Sequence, residues 1–548
     1  MQEVPNQPPL LEDYDAFGAD PWLREAIERA GIEDIAERAS ALGKFVGSAE
    51  AQRHADLANR YPPELRSHDR FGHRVDEVEY HPSYHVLMER AIGAGIHSIA
   101  WKRPRGGFSA HTALAYLWNQ LEQGTSCPVT MTFASIPVFA QAPGIEREWR
   151  PKVLADTYDP NPAPHWQKNG LTVGMAMTEK QGGSDLRSVQ TQATADGDGS
   201  YRLAGHKWFC SAPMSDAFFT LAKLPQGVTC FFVPRSLDDG TRNAFLIQRL
   251  KDKCGNRSNA SSEIEYRDTR AWLVGEAGRG IATLIEMAHH TRFDIVIAVA
   301  GMMRAALNAA LHHAHHREAF GKRLESHALM GNVLTDLALE TEAALLLAFR
   351  LAEAFDADPG DAKEAALQRA LTPIAKYWLC KRMPVVAVEA MEVLGGNGYV
   401  EECALARLYR EAPLNGIWEG SSNVICLDVL RALSRSGEAY ASLEREIAAA
   451  QDPRLDRAIA WAGKMLADPA MAEPAARSVV ESLALGIQAS LMRRFSGPNA
   501  AEAFYLSRLQ PPCTRTLGTL APSTDFDSLV ERARLVPQAS APDAYRNW

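Results

Sequence analysis

The stretch Met175-Ala-Met-Thr178-Glu-Lys-Gln-Gly182-Gly183-Ser184-Asp185 stands where the chain changes character, and its reading decides the fold. Its first half is apolar and strand-like. Its second half is a polar turn in which two adjacent glycines let the backbone approach a neighbour closely, where a Cβ would block it. The pair is not a dinucleotide fingerprint, because the Gly-x-Gly-x-x-Gly spacing is absent. Outward from this stretch, short runs at residues 171–178, 201–210, 218–224, 228–233 and 262–266 are separated by breaker clusters such as Asp196-Gly197-Asp198-Gly199. Several are rich in β-branched or aromatic residues, and five or six short strands at this spacing predict a small barrel or sandwich.

On both sides the pattern is helical. Within residues 16–58, Trp22, Ala26, Ile27 and Ala30 recur at helical spacing, and proline breaks follow at Tyr61-Pro62-Pro63 and at residues 160–164. From Gly280 to about Ser436, one apolar stripe runs through Met302, Met303, Ala306, Leu307, Ala310 and Leu311. Another runs through Leu334, Leu337, Ala338, Leu345 and Leu346, and Pro359-Gly360 marks a helix–helix turn. The last segment is alanine-rich and helical to about Leu509, then becomes a proline-containing tail of weak periodicity. The predicted class is α+β, mainly α. It has an N-terminal helical domain (1–170), a central β-domain (171–278), a four-helix bundle (279–436) and an extra helical domain (437–548).

A chain of 548 residues can bury a large core without disulfides. The net charge of −9 excludes a whole-chain basic footprint for nucleic acid but leaves local patches open. The eight cysteines, Cys127, Cys210, Cys230, Cys254, Cys380, Cys403, Cys426 and Cys513, form no CxxC pair, which fits a reducing, cytoplasmic setting and no zinc ribbon. The longest strongly apolar stretch, residues 295–303, is far shorter than the about 20 residues a membrane span needs, and the acidic, proline-rich start is no secretory signal. No membrane partner is expected. His312, His313, His315 and His316 crowd one helix, but no carboxylate or cysteine at ligand spacing accompanies them, so no metal site is expected.

Three separated motifs carry a resemblance. Residues 175–185 come first, then His315-His-Arg317-Glu-Ala-Phe320-Gly321. The third is Leu394-Gly395-Gly396-Asn-Gly398-Tyr399, followed by Ile417-Trp418-Glu419-Gly420-Ser421. In order and spacing they resemble the acyl-CoA dehydrogenase family over roughly residues 171–433. Further stretches, among them Arg60-Tyr-Pro-Pro-Glu-Leu65, His81-Pro-Ser-Tyr-His85 and Gly255-Asn-Arg-Ser-Asn-Ala260, are similar to that family's adaptive-response flavoproteins over about residues 6–433. The resemblance implies the acyl-CoA dehydrogenase fold with an extra C-terminal helical domain, an FAD cofactor and a homotetramer built as a dimer of dimers. It also implies a part in the response to DNA alkylation and association with double-stranded DNA through the extra domain.

The site expected from this resemblance is specific. The residues alone leave Glu419 as either a helix cap acting with Ser421 or a base on a loop; the family places the catalytic base there, with Arg292 nearby. Glu286 and Asp294 are read as solvated or structural charges. Met175, Met177, Thr178, Gly182, Gly183 and Ser184 would pass along the flavin, with Trp208, Phe209, Cys210 and Ser211 beside the ring. Relatives place threonine at the position of Cys210, and cysteine is a weaker donor. Arg317 would reach the pyrophosphate of FAD in a neighbouring subunit, since its planar fork suits phosphate, and Phe320 would pack on the adenine. Gly395, Gly396, Trp418, Gly420, Ser421 and Asn423 would complete the site. The implied substrate is a short branched acyl-CoA such as isovaleryl-CoA, with electrons passed to a separate acceptor. Arg431, Arg435, Arg493, Arg494 and Arg508 are the candidate DNA contacts, although residues 437–548 are near neutral, with 12 basic against 13 acidic side chains. Three functions stay open: an acyl-CoA dehydrogenase with or without a DNA role, a DNA-associated protective protein, and an oligomer with a vestigial flavin site.

Overall fold

Residues 53–107 and 122–294 form one compact unit of a computed structural model that describes residues 4–511 and 516–536. Cys513 and the last part of the proline-containing tail lie outside the described residues. The unit carries strands β1 (Glu64–His68), β2 (Arg74–Glu79), β3 (Val173–Ala176), β4 (Gln192–Ala195) and β5 (Tyr201–Ser211). It continues with β6 (Ala217–Leu224), β7 (Gly227–Pro234), β8 (Phe245–Leu250) and β9 (Ser261–Val274). β4 pairs with β5, β5 with β9, β9 with β7, β7 with β6, and β6 meets β4 again at Gln192 and Lys223. The circuit closes, so of the two sequence readings the barrel is realised, and closure leaves few open edges. β3 lies parallel beside β6, and β8 lies beside β9.

The barrel interior is filled by Leu203, Phe218, Phe231, Val233, Phe245, Ile264 and Tyr266, with the rings of Phe218 and Phe245 stacked at 4.9 Å. The hairpin β1–β2 departs from the expectation of a mainly helical first 170 residues. Its strands are charged and half-exposed, so they carry little alternating apolar signal, and they are held by tertiary bonds such as Arg74 Nη2 to the Ile247 carbonyl at 2.6 Å. Below the loop at 253–260 the buried Glu122 carboxylate accepts from Asn59 (2.9 Å), the amides of Gly124 (3.0 Å) and Thr125 (2.8 Å), and the hydroxyls of Thr125 (2.7 Å) and Ser258 (2.6 Å). Burial alone would raise this carboxyl, but these donors outweigh it and hold it below its ordinary value.

The second unit comprises residues 1–52, 108–121 and 295–548. Its bundle is built from the later part of a long spine helix (Gly280–His316) and from Ala328–Asp356, Ala362–Leu394 and Ser422–Arg435. Both predicted stripes are buried. The turn at Pro359-Gly360 is present, and Asp361 caps the next helix through the amides of Lys363 (2.9 Å) and Glu364 (3.1 Å). By length and composition the spine helix could cross a membrane, at a mean hydropathy of 1.6, but 78% of that apolar window is buried inside the fold.

Residues 437–536 do not form a separate body. They belong to the same compact unit as the bundle. The helix Ala328–Asp356 carries three buried carboxylates: Asp336, Glu340 and Glu342. Arg508, at the end of the helix Pro498–Arg508, ion-pairs with Asp336 and lies 2.9 Å from Glu340, which also holds Arg382 at 3.1 Å. Arg532 reaches Glu342 at 2.7 Å. Arg508 is therefore an interior cation and not a candidate DNA contact. Arg532 sits on a helix, Phe526–Ala533, in the stretch that the sequence reads as an irregular tail. Eight residues are too few to be stable alone. The helix forms because its end is tied down, with Arg304 donating to the Ala533 carbonyl at 2.8 Å.

Replacing Arg508 with alanine leaves Asp336 and part of Glu340 buried without their cation, so stability falls by roughly 3–5 kcal/mol. Urea denaturation followed by circular dichroism checks this. A loss below about 1 kcal/mol, the level of an exposed pair, means the arginine is not the interior keystone described here.

Candidate functional site

In the barrel unit, β3 delivers Thr178 into a tight turn. The amide of Glu179 donates to the Gly182 carbonyl and the amide of Gly182 to the Glu179 carbonyl, each at 3.1 Å. A Cβ on Gly183 would lie 2.6 Å from Thr178 Oγ1, so glycine is required there. Gly183 and Ser184 form an exposed rim, with open space around Gly182. Beneath the rim the Glu179 side chain turns inward. It accepts from Lys207 Nζ (2.7 Å), Thr191 Oγ1 (2.6 Å), the Gln190 amide (2.7 Å) and Gln181 Nε2 (2.7 Å). Lys207 also donates to the Leu221 carbonyl at 2.8 Å, and both side chains of the ion pair have zero exposure. Burial pushes the Glu179 carboxyl up, but Lys207 and the other donors prevail and bring it to about 2. Burial lowers Lys207 to about 8 despite the carboxylate beside it.

Trp208 is joined to the turn, its amide donating to the Thr178 carbonyl at 2.8 Å. Along β5, Lys207 pairs with Ile264 and Cys210 with Ser262, so two residues face one and the strand bulges. Lys207 and Cys210 both point inward, while Trp208 is half-buried and Phe209 is 49% exposed on the outer side. Lys251 Nζ sits 3.4 Å from the Trp208 ring centroid, a cation–π contact. The expectation that the Cys210 side chain lies beside a flavin is corrected. It is enclosed in the barrel core among Phe218 and Tyr266, and burial lifts its thiol to about 12. Ser211 Oγ, half-buried and 3.3 Å from Ser261 Oγ, is the hydroxyl nearer the surface. Met175 is buried and Met177 half-buried. Arg292 is buried, Asp294 accepts from Thr130, and Glu286 is exposed, so the last two keep their structural or solvated readings.

In the bundle unit, Arg317 follows the spine helix and precedes a two-stranded hairpin, β10 (Glu318–Ala319) and β11 (Lys322–Arg323). The turn residues Phe320 and Gly321 have φ of +52° and +80°, as in a type I′ turn, and Phe320 is 98% exposed. Of the four crowded histidines, His312 faces the Pro9 carbonyl (2.8 Å), His315 pairs with Glu325 (3.0 Å) and His316 faces the His312 carbonyl (2.9 Å). No metal-binding cluster occurs among the described residues.

At the far end of the helix Ala362–Leu394, Gly395 takes φ +60°, and open space surrounds Gly395 and Gly396. Glu419 lies half-buried between a 3-10 turn, Ala412–Gly416, and the helix Ser422–Arg435, at φ +57°. The Ser421 side chain makes no capping bond, so the helix-cap reading loses its support. What holds the loop is Lys376, buried in the helix Ala362–Leu394. Its Nζ donates to the carbonyls of Trp418 (3.0 Å) and Gly420 (2.7 Å), on either side of Glu419. Trp418 Nε1 donates to Asn415 Oδ1 at 3.1 Å, and the exposed Asn423 accepts from Arg477 at 2.8 Å. Lys376 escaped the sequence reading. The available signal was a lone lysine inside the apolar run 370–380, where a buried ammonium must find acceptors. Among the candidate DNA contacts Arg431, Arg435 and Arg493 are exposed, while Arg494 is engaged by Glu446 at 2.5 Å.

Taken by itself, the barrel unit offers chemistry that fits a flat, polar-edged cofactor such as a flavin: open backbone at Gly182, the exposed Ser184 at its rim and the outward Phe209 ring. Taken by itself, the bundle unit offers Arg317 at the end of its spine helix and open backbone at Gly395 and Gly396. Comparisons point the same way. Residues 6–160 match the N-terminal domain of the adaptive response protein AidB, residues 174–269 the acyl-CoA dehydrogenase middle domain and residues 278–434 the acyl-CoA dehydrogenase C-terminal domain. The AidB protein of Escherichia coli strain K12 is 45% identical over 505 residues, 91% of this chain and 93% of that protein. Caenorhabditis elegans ACDH-11, solved in complex with C11-CoA, shares the fold with a TM-score of 0.85 at 23% identity, over 93% of this chain and 94% of that one. A glutaryl-CoA dehydrogenase from Mycobacterium smegmatis, solved in complex with FADH2, gives a TM-score of 0.60 at 18% identity, over 75% and 96%.

The Glu179–Lys207 pair gives the turn a pH signature. A carboxyl depressed in the folded state contributes stability that is complete above its unfolded value near 4.5 and is lost as pH falls towards about 2. The paired replacement Glu179→Gln/Lys207→Met removes both charges together. Its stability therefore falls less steeply with pH across that window than the parent's, read as urea midpoints at several pH values. Parallel slopes for the two proteins would show that the pair carries no such linkage.

Proposed function

The chain belongs to the acyl-CoA dehydrogenase family of FAD-dependent oxidoreductases, in its AidB branch, and on that premise we propose that it oxidises a short branched acyl-CoA of isovaleryl type with Glu419 as the base. The observation that carries the proposal is the Glu419 loop. A carboxylate sits half-buried at positive φ with a buried lysine holding the carbonyls on both sides of it. Such a group is fixed in position, shielded from bulk water and still able to reach a proton. The carboxylate takes the proton from the α-carbon. The Glu419 amide polarises the thioester oxygen, where negative charge develops. FAD supplies the acceptor for the hydride from the β-carbon.

The residues proposed to hold FAD fall into three groups. Met175, Met177, Thr178, Gly182, Gly183 and Ser184, with Trp208, Phe209 and Ser211, take the ring and the near phosphate. Arg317 and Phe320 take the pyrophosphate and adenine of a neighbouring subunit's cofactor. Gly395, Gly396, Trp418, Gly420, Ser421 and Asn423 are the bundle unit's further cofactor contacts, and Arg292 is a buried cation of the barrel unit. An aromatic ring left 98% exposed on a positive-φ hairpin supports the subunit-crossing role, as do the exposed Leu329, Tyr399 and Ile417. The assembly proposed is a homotetramer, a dimer of dimers.

Anaerobic addition of isovaleryl-CoA to the yellow holoprotein bleaches the flavin. Glu419→Gln retains FAD but bleaches at least about a hundredfold more slowly, the usual size of a general-base contribution. Equal rates in parent and variant remove Glu419 from the mechanism. A holoprotein that no acyl-CoA bleaches removes the proposed substrate class.

The match to an adaptive response protein favours a second reading that does not exclude the first. In it the protein serves the response to DNA alkylation and touches duplex phosphates through Arg431, Arg435 and Arg493. Arg493→Glu then weakens binding to a duplex oligonucleotide and flattens its salt dependence. Binding that is unchanged in both respects counts against this reading.

A further inference from the structure

The hairpin that presents Phe320 is only two residues long on each strand, too short to be stable alone. Its outer edge is completed by one residue of the N-terminal arm. Asn6 Nδ2 donates to the Glu318 carbonyl and Asn6 Oδ1 accepts from the Glu318 amide, both at 2.8 Å. A side-chain amide thus exchanges with β10 the two bonds that a strand residue would exchange. The backbone carbonyl of the same Asn6 accepts from Arg317 Nη1. Asn6 takes φ +61°, a conformation that asparagine tolerates far better than a β-branched or bulky residue. Pro5, Pro8 and Pro9 stiffen the arm around it, and the Pro9 carbonyl meets His312 Nε2 at 2.8 Å on the last turns of the spine helix.

We propose that Asn6 is a positioning residue for the cofactor, holding Arg317 and the Phe320 hairpin in the attitude in which they receive the pyrophosphate and adenine of FAD. This rests on the roles given to Arg317 and Phe320 above. A guanidinium has five donors. One of them, given to the Asn6 carbonyl, fixes the side chain, and the others stay available for phosphate. The amide exchange holds Phe320 at its strained backbone angle by anchoring the strand just before it. Asn6 is exposed and its bonds go to the exposed Glu318 and to Arg317, so its loss leaves the apoprotein's folding stability almost unchanged.

The test measures FAD affinity of the apoprotein by flavin fluorescence, with the thermal midpoint of the apoprotein alongside, for Asn6→Ala, Asn6→Gly, Arg317→Ala and the double variant Asn6→Ala/Arg317→Ala. Asn6→Ala weakens FAD binding about tenfold with little change in the midpoint. Asn6→Gly, which keeps the positive φ and the carbonyl but loses the amide, falls between parent and Asn6→Ala. In the Arg317→Ala background the second substitution costs less than it does alone, because part of what Asn6 does passes through that arginine. Weakening by Arg317→Ala but not by Asn6→Ala overturns the inference and leaves the reading of Arg317 standing. Unchanged affinity in both single variants overturns that reading and the inference together. A fall in affinity that tracks a fall in the midpoint assigns Asn6 a general folding role and also overturns the inference.

Discussion

A charge taken out of water must be matched, and both compact units of this protein are organised by that requirement. In the bundle unit Arg304 has zero exposure. Its Nε lies 3.1 Å from the equally buried Asp20, and its guanidinium covers the Trp22 ring at 4.8 Å. Asp20 also caps the first helix and accepts from Tyr116 at 3.1 Å. One ion pair thereby joins the start of the chain, the spine helix and the helix Phe526–Ala533. In the barrel unit Glu179 and Lys207 play the same part, and Glu122 is matched by neutral donors. Losing one partner of such a pair costs more than the pair contributes relative to apolar residues of the same shape. These pairs therefore fix which segments meet more than they add stability.

The candidate site residues are likewise held by polar bonds, some of them from buried charges. Glu419 and Phe320 both sit at positive φ, a cost of about 1–3 kcal/mol each for a residue that is not glycine. Under Glu419 lies Lys376, with two charge-assisted bonds to the flanking carbonyls. Beside Phe320 lies the Asn6 exchange. Under the glycine turn lies the Glu179–Lys207 pair. In each case a strained or open piece of backbone is offered outward while polar bonds fasten it from behind. Rigid support of this kind sets reacting groups more accurately than a free loop does.

The sequence was informative where its signals are local. The apolar stripes of the bundle, the turn at Pro359-Gly360 and most of the barrel strands follow from periodicity and turn chemistry within a few residues, and the three motifs were legible through their resemblance to a family. It was uninformative for the charged strands β1 and β2, whose apolar alternation is weak, and for the helix Phe526–Ala533, which needs Arg304 to hold its end. The domain boundaries read from the sequence mark changes of secondary structure. The compact units cut across them, because the N-terminal segment contributes to both.

By itself, then, the sequence determined the class of the fold, the run of short strands between helical segments, the family resemblance and the loop that carries Glu419. Those properties are written in neighbouring residues, while the closure of the strands into a barrel came from their pairing. Only the tertiary structure decided that Cys210 faces the core, because the direction of a strand residue beyond a bulge depends on the pairing of β5 with β9. It alone decided that Arg508 is an interior cation, that Lys376 fastens a loop 42 residues away, and that Asn6 completes a hairpin 312 residues away. Burial and hydrogen-bond partnership are properties of what the folded chain brings together, and no local pattern encodes them.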